Sequence, residues 1–119
     1  MKKYSKTHQW VEVVDGIATL GITKYAAEQL GELSFVELPE VGRQFQAGEC
    51  FGTVESLKAA SEIFAPIGGT VSEVNSELDM EPTKVNEDAE GAGWICKFQN
   101  VQEAELDALM SEAEYLAFV

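Results

Sequence analysis

The stretch GTVESLKAASEIFAPIGGTVSEVN, Gly52–Asn75, decides how the rest of the chain is read. Three short runs with strand character meet in it: CFGTVE (50–55), AASEIFA (59–65) and TVSEVN (70–75). Each is too short for a stable helix and is punctuated by glycine or proline. Ser56-Leu57-Lys58 falls between the first two, so Lys58 is predicted at the tip of a hairpin. From Gln44 through Thr83 it is the only basic residue, with Glu55 and Glu62 close by. Small neighbours, Ser56, Ala59, Ala60 and Ser61, leave its ammonium sterically open. A lysine on a rigid, exposed hairpin is presented to another enzyme at fixed geometry. An amide on Nζ would remove its charge. Lys58 is therefore a candidate modification site, with a plain solvated turn lysine as the alternative.

Outward from this stretch, the strand pattern continues. WVEVV (10–14) runs into Asp15-Gly16, a hairpin signal, and IATLGI (17–22) follows. SFVELP (34–39) alternates and stops at Pro39, and GWICKF (93–98) closes the strand region. Many short strands with Gly and Pro between them predict a mainly β sandwich or barrel. Two segments depart from it. TKYAAEQLG (23–31) reads as a short helix, with Thr23 as N-cap and Gly31 beyond its end. Leu106, Leu109, Met110, Ala113 and Leu116 have helical spacing, so a helical segment is predicted over about 101–117. Asn100 and Glu103 could form a capping box at its start, and Ser111 with Glu114 could form another, breaking the helix.

The chain has 119 residues, read as a single domain over 1–119. Hydrophobic content of 45% and charged content of 24% suit a globular core. The charge balance is lopsided: eight basic against 21 acidic residues, net −13. That field repels phosphate backbones and anionic bilayers, so neither nucleic acid nor membrane is expected as a partner. It would steer the chain towards basic patches on proteins. MKKYSKTHQW at the start carries no apolar run of signal-peptide length, so a cytoplasmic protein is expected, by default a monomer.

Catalytic sets are missing from the pattern. His8 is the one histidine, and Cys50 and Cys96 lack C-x-x-C spacing. Both thiols sit in apolar alternation and read as small buried residues. His8, beside Trp10, reads as structural. No metal cluster, nucleophilic triad or phosphate loop is recognisable. The expectation is a carrier, adaptor or binding module without catalytic or metal-binding residues, not an enzyme.

Several motifs in order then sharpen this: THQW (7–10), LGITKYAAEQLGE (20–32), FVELPEVG (35–42), VESLKAASEIFAPIGGTVSEVN (54–75), KVNED (84–88) and GWICKF (93–98). With them the chain resembles the H-protein family of the glycine cleavage system, the lipoyl carriers of that complex. The similarity runs from about Tyr4 to Phe118. It implies a barrel-sandwich hybrid of the lipoyl/biotinyl type, with a short helix near 23–31, a helical C-terminus and lipoate attached covalently to Lys58. It further implies an arm of about a dozen bonds, reaching on the order of 12–15 Å. The arm would take an aminomethyl group from a pyridoxal-phosphate glycine decarboxylase (P protein) with release of carbon dioxide. An aminomethyltransferase (T protein) would pass the carbon to tetrahydrofolate and release ammonia. A dihydrolipoamide dehydrogenase (L protein) would reoxidise the dithiol by thiol–disulfide exchange. A lipoate ligase or lipoyl/octanoyl transferase would install the group.

Within that resemblance, Glu62 follows Lys58 on the hairpin and could hold the cationic amine of the loaded arm. Gln9 could also contact it, but stands where family members usually carry a glutamate. Ala89-Glu90 replaces the usual Pro-Tyr pair, and Leu57 the common Val. Gly68 and Gly69 would turn the strand that supports the hairpin. Lipoyl domains of 2-oxo-acid dehydrogenases usually read Asp-Lys-Ala and biotin carriers Met-Lys-Met, neither matching Ser56-Leu57-Lys58-Ala59. A relay that donates lipoate to other lipoyl domains would use the same Lys58 and stays open. So does an interaction protein that is never modified.

Overall fold

The computed structural model describes residues 2–119. A tight hairpin forms where Asp15 (φ 52°) and Gly16 (φ 78°) both adopt the left-handed conformation. That pair turns β2 (Gln9–Val14) into β3 (Ile17–Ile22). Consecutive left-handed residues match the right-handed twist of the two strands. Ala18, Leu20 and Ile22 of β3 point inward and are buried.

A six-stranded antiparallel sheet grows from this hairpin. Its spatial order is β1-β2-β3-β9-β8-β5. Here β1 is Lys2–Tyr4, β5 Gln44–Phe45, β8 Gly69–Val74 and β9 Cys96–Gln99. A second sheet has three strands in the order β4-β6-β7: β4 (Leu33–Glu37), β6 (Cys50–Ser56) and β7 (Ala60–Phe64). Leu20, Val71 and Phe98 from the first sheet share one core with Val36, Val54 and Ile63 from the second. Phe45, Phe51 and Phe98 close it, with ring centroids about 6 Å apart. The mainly β, two-sheet architecture is the one the strand pattern and the resemblance implied.

The short helix also forms. α1 spans Lys24–Leu30; Thr23 Oγ1 accepts the Ala26 N–H at 3.1 Å, and Gly31 follows at φ 80°. Elements too short to show a period were not expected: β1, β5, α2 (Glu77–Met80) and α3 (Lys84–Glu87). β9 begins at Cys96, later than the run from Gly93, because Gly91–Trp94 form a turn instead.

The C-terminal segment is not one helix. A 3₁₀ turn covers Glu103–Ala108, and α4 covers Glu112–Phe118. The Asn100–Glu103 capping box does not form; Asn100 is left-handed (φ 56°) and Gln102 precedes the 3₁₀ turn. The Ser111–Glu114 box does form, at 2.8 and 3.2 Å. The helical spacing misleads in α4: Ala113 and Leu116 are exposed, and Tyr115 is its buried residue. Gly68 lies in the bend between β7 and β8, and Gly69 opens β8. A Cβ on Gly69 would lie 2.8 Å from Phe98 Cβ, so the site demands glycine for close approach. Cys96 is buried as expected, which pushes its thiol pKa up. Cys50 is exposed, contrary to the expectation, because it opens β6 with its side chain on the outer face.

Candidate functional site

Lys58 stands exposed at the tip of the β6–β7 hairpin. The strands pair from Cys50↔Phe64 to Glu55↔Ala60, which leaves Ser56–Ala59 as the turn. Ser56 organises that turn by itself. Its N–H donates to the Ala59 carbonyl at 2.7 Å, and its Oγ accepts from Lys58 N–H (3.3 Å) and Ala59 N–H (3.2 Å). Leu57 is 100% exposed beside the lysine.

Behind the tip lies the corner between α1 and β4. Gly31, Leu33, Leu57 and Lys58 line a shallow groove there, together with Leu30. A Cβ on Gly31 would sit 3.7 Å from Lys58 Cε, so the lysine stem runs alongside this glycine. Asn86, on α3, locks the corner. Its Nδ2 donates to the Gly31 carbonyl at 2.7 Å, and its Oδ1 accepts the Leu33 N–H at 2.9 Å.

Leu30 also lines a second cleft of about 280 Å³. Ile22, Val54 and Ile63 give it apolar walls; His8, Gln9 and Glu62 give it polar ones. Gln9 and Glu62, far apart in sequence, are thus brought to one cavity. They are not equivalent. Gln9 is buried, and its amide is engaged by the preceding turn: Nε2 donates to the Thr7 carbonyl at 2.9 Å, and Oε1 accepts from the Ser5 hydroxyl (3.2 Å) and the Thr7 hydroxyl. Glu62 is exposed, and its carboxylate has no hydrogen bond or ion pair among the described residues.

His8 reaches the same cleft from a strained position, φ 72°. Its Nδ1 and the Tyr115 hydroxyl are 2.7 Å apart, and that hydroxyl is 2.8 Å from Thr23 Oγ1. Burial holds the His8 pKa below its ordinary value and raises those of Tyr115 and Tyr4. One chain of hydrogen bonds therefore ties α4, the start of α1 and the cleft wall together. Sequence reasoning treated His8 as structural and passed over Asn86 and Tyr25. KVNED carried Asn86 as a motif residue, but nothing there shows that it reaches Gly31.

The Ala89-Glu90 departure is anchored. The Ala89 carbonyl accepts the Trp10 indole N–H at 3.0 Å. Glu90 accepts from the Tyr4 hydroxyl (2.8 Å) and from the Lys24 N–H (3.0 Å). Among the described residues, no helix is long and apolar enough to cross a membrane.

Known proteins are similar to this chain in sequence and in fold. The family model described as Glycine cleavage H-protein matches residues 2–119. A glycine cleavage system H protein of Thermotoga maritima is 49% identical over 99% of this chain and 95% of its own length. That of Phenylobacterium zucineum is 50% identical over 98% of this chain and 97% of its own. The crystal structure of the Mycobacterium marinum glycine cleavage system H protein superposes with a TM-score of 0.88 at 38% identity, covering 98% of this chain and 94% of that one. With the family model, the relatives near half identical and the shared fold in agreement, the chain belongs to the glycine cleavage H-protein family.

Proposed function

We propose that this chain is the lipoyl carrier of a glycine cleavage system, with lipoate in amide linkage to Lys58 Nζ. The observation that carries the reading is the exposed Lys58 on a self-capped turn, beside a cleft that shares Leu30 with the lysine's own groove. When bound, the lipoyl group supplies a dithiolane that takes up an aminomethyl group, gives it up again and is reoxidised from the dithiol.

The residues present fit such a group. Lys58 is open to a modifying enzyme, and its stem has a glycine to lie against. The cleft approaches the lower bound of about 300 Å³ seen for small-molecule sites, and its Ile22, Val54 and Ile63 walls suit methylene and sulfur. Glu62 supplies an unpaired carboxylate at the rim, placed to attract an ammonium. Gln9 contributes shape and no charge. Its amide already serves the Ser5–Thr7 turn. Binding, orientation and partial exclusion of water are this chain's share. Chemistry at glycine, tetrahydrofolate and the dithiol belongs to the decarboxylase, aminomethyltransferase and dehydrogenase, as catalysts external to the carrier. A ligase or transferase installs the lipoyl group.

The test begins with intact-mass spectrometry and peptide mapping after incubation with lipoate, ATP and a lipoate ligase. One lipoyl group on Lys58 is expected, followed by glycine cleavage on adding the three partner enzymes. No addition to a folded protein would overturn the reading.

A further inference from the structure

The proposed arm cleft does not end at its own rim. α1 has a cleft on each side, and Tyr25 lines both. The second is the larger, about 580 Å³, and lies between α1 and α4. Its floor includes Tyr4 and Tyr115, stacked with centroids 4.9 Å apart. Its edge is apolar side chain left in water: Leu116 is 65% exposed, and Val119 is also exposed. The His8 ring, in the smaller cleft, lies 5.0 Å from Tyr25 and 5.8 Å from Tyr115 by centroids, and both tyrosines line the larger one.

Acidic side chains predominate around this apolar surface. Glu28, Glu87, Asp88, Glu90 and Glu112 line the cleft, with Lys24 as its one basic residue. Glu90 is occupied by Tyr4 and Lys24, and Asp88 accepts the Ala92 N–H at 3.1 Å. The carboxylates of Glu28 and Glu87 have no partner among the described residues. Both are exposed, one on α1 and one on α3. Burial first, and then the neighbouring Glu90 and Glu112, push the Tyr4 phenol pKa up. An apolar centre ringed by acids is complementary to an apolar protuberance ringed by lysine and arginine.

We infer that the α1–α4 groove is the docking surface for an enzyme that receives the arm, which seats a basic, apolar-centred protein surface against Leu116, Tyr25, Glu28 and Glu87. The inference rests on the carrier reading above and adds a place where the partner grips. A partner seated here meets Tyr25, which both clefts share, so it stands beside the arm cleft, and Lys58 is not among the residues that line the groove. Docking and modification then use different faces: the modifying enzyme needs the hairpin tip, and the receiving enzyme needs the groove.

The test uses the full chain, lipoylated on Lys58, as the varied substrate of purified glycine decarboxylase and, separately, of aminomethyltransferase. Leu116→Glu is expected to raise the carrier KM about tenfold with at least one of them, with kcat unchanged. The double variant Glu28→Lys, Glu87→Lys alters only exposed side chains, so it keeps the test valid if the first variant folds poorly. It is expected to raise the same KM and to flatten its salt dependence. Lipoylation rates of both variants should equal that of the unaltered chain. If the unaltered lipoylated chain supports no glycine cleavage, the carrier reading itself fails. If it does support it and both variants keep its KM with both enzymes, the docking surface alone is overturned. A concentration-dependent dimer abolished by Leu116→Glu would also overturn it, by assigning the groove to a second copy.

Discussion

Asn86 and Gly31 are joined by a 2.7 Å hydrogen bond that spans 55 positions of sequence. The same amide takes the Leu33 N–H, so one side chain closes both ends of the corner on which the Lys58 stem rests. Without it, the Gly31 carbonyl and the Leu33 N–H would turn to water, and the α1–β4 corner could move independently of α3.

Asn86→Ala should therefore cost about 1–2 kcal/mol, the sum of two partly solvated hydrogen bonds. The corner would loosen under Lys58, and kcat/KM for ligase-catalysed lipoylation should fall severalfold. Denaturant titration and the lipoylation rate check the two halves separately. A stability loss with an unchanged rate would confine Asn86 to folding.

Gly31 has φ 80° and ψ −166°, a region that residues with a Cβ avoid. Gly31→Ala should cost about 1–3 kcal/mol. It also places a methyl against Lys58 Cε, in ordinary contact at 3.7 Å. Paired with Asn86→Ala in a double-mutant cycle, the two losses should be less than additive, since both release the same corner. Full additivity in the cycle would show that the two residues act apart.

Lys58→Arg keeps the charge at an exposed tip, where substitutions usually stay within about 0.5 kcal/mol. The melting temperature should not move, while lipoate attachment and glycine cleavage should both be lost. Retained glycine cleavage in this variant would remove Lys58 from the proposal.

Gln9→Glu is the substitution that the family comparison invites, and the geometry gives it a cost. A carboxylate at this buried position loses the donor to the Thr7 carbonyl and faces that oxygen at the same site. About 1–3 kcal/mol of stability should go with it. The added charge beside Glu62 should also slow release of the carried amine. Equal release rates from the two proteins would refute that second effect.

The His8 pKa is depressed by burial, so the unfolded chain binds a proton more readily than the folded one. The contribution of neutral His8 to stability is then complete above about 6.5, the unfolded value. It is lost as pH falls through the lower folded-state value. Urea midpoints between pH 7.5 and 5.5 should fall more for the unaltered chain than for His8→Gln. Parallel curves would mean that His8 titrates the same in both states.

What was legible in the sequence follows from range. β2 and β3 alternate around Asp15-Gly16, and the turn chemistry is local, so their hairpin could be read from the residues alone. α1 carried its own caps, Thr23 and Gly31. The Lys58 tip was legible because strands on both sides left no other place for Ser56–Ala59. β1 was not, since Lys2 and Lys3 give no apolar pattern and Tyr4 is held by a bridge to Met110. The clefts were invisible for the same reason. Their walls come from the Ser5–Gln9 turn, α1, the second sheet and α4, and the His8–Tyr115 contact joins positions 107 apart. The C-terminal period misled because a 3₁₀ turn and a capping box interrupt it, which rotates Tyr115 into the place expected of Leu116.

The turn at Ser56 has a mechanical consequence. The N–H groups of Ser56, Lys58 and Ala59 all find partners inside four consecutive residues. None depends on the rest of the molecule, so the turn is a stiff socket. Anything hung on Lys58 must swing about the torsions of the lysine side chain and of its own stem, not about the backbone. The carrier is thus built as a fixed mast with a loose boom. Its sweep is set by the length of the attached group, and its centre stays put relative to the groove where a partner would moor.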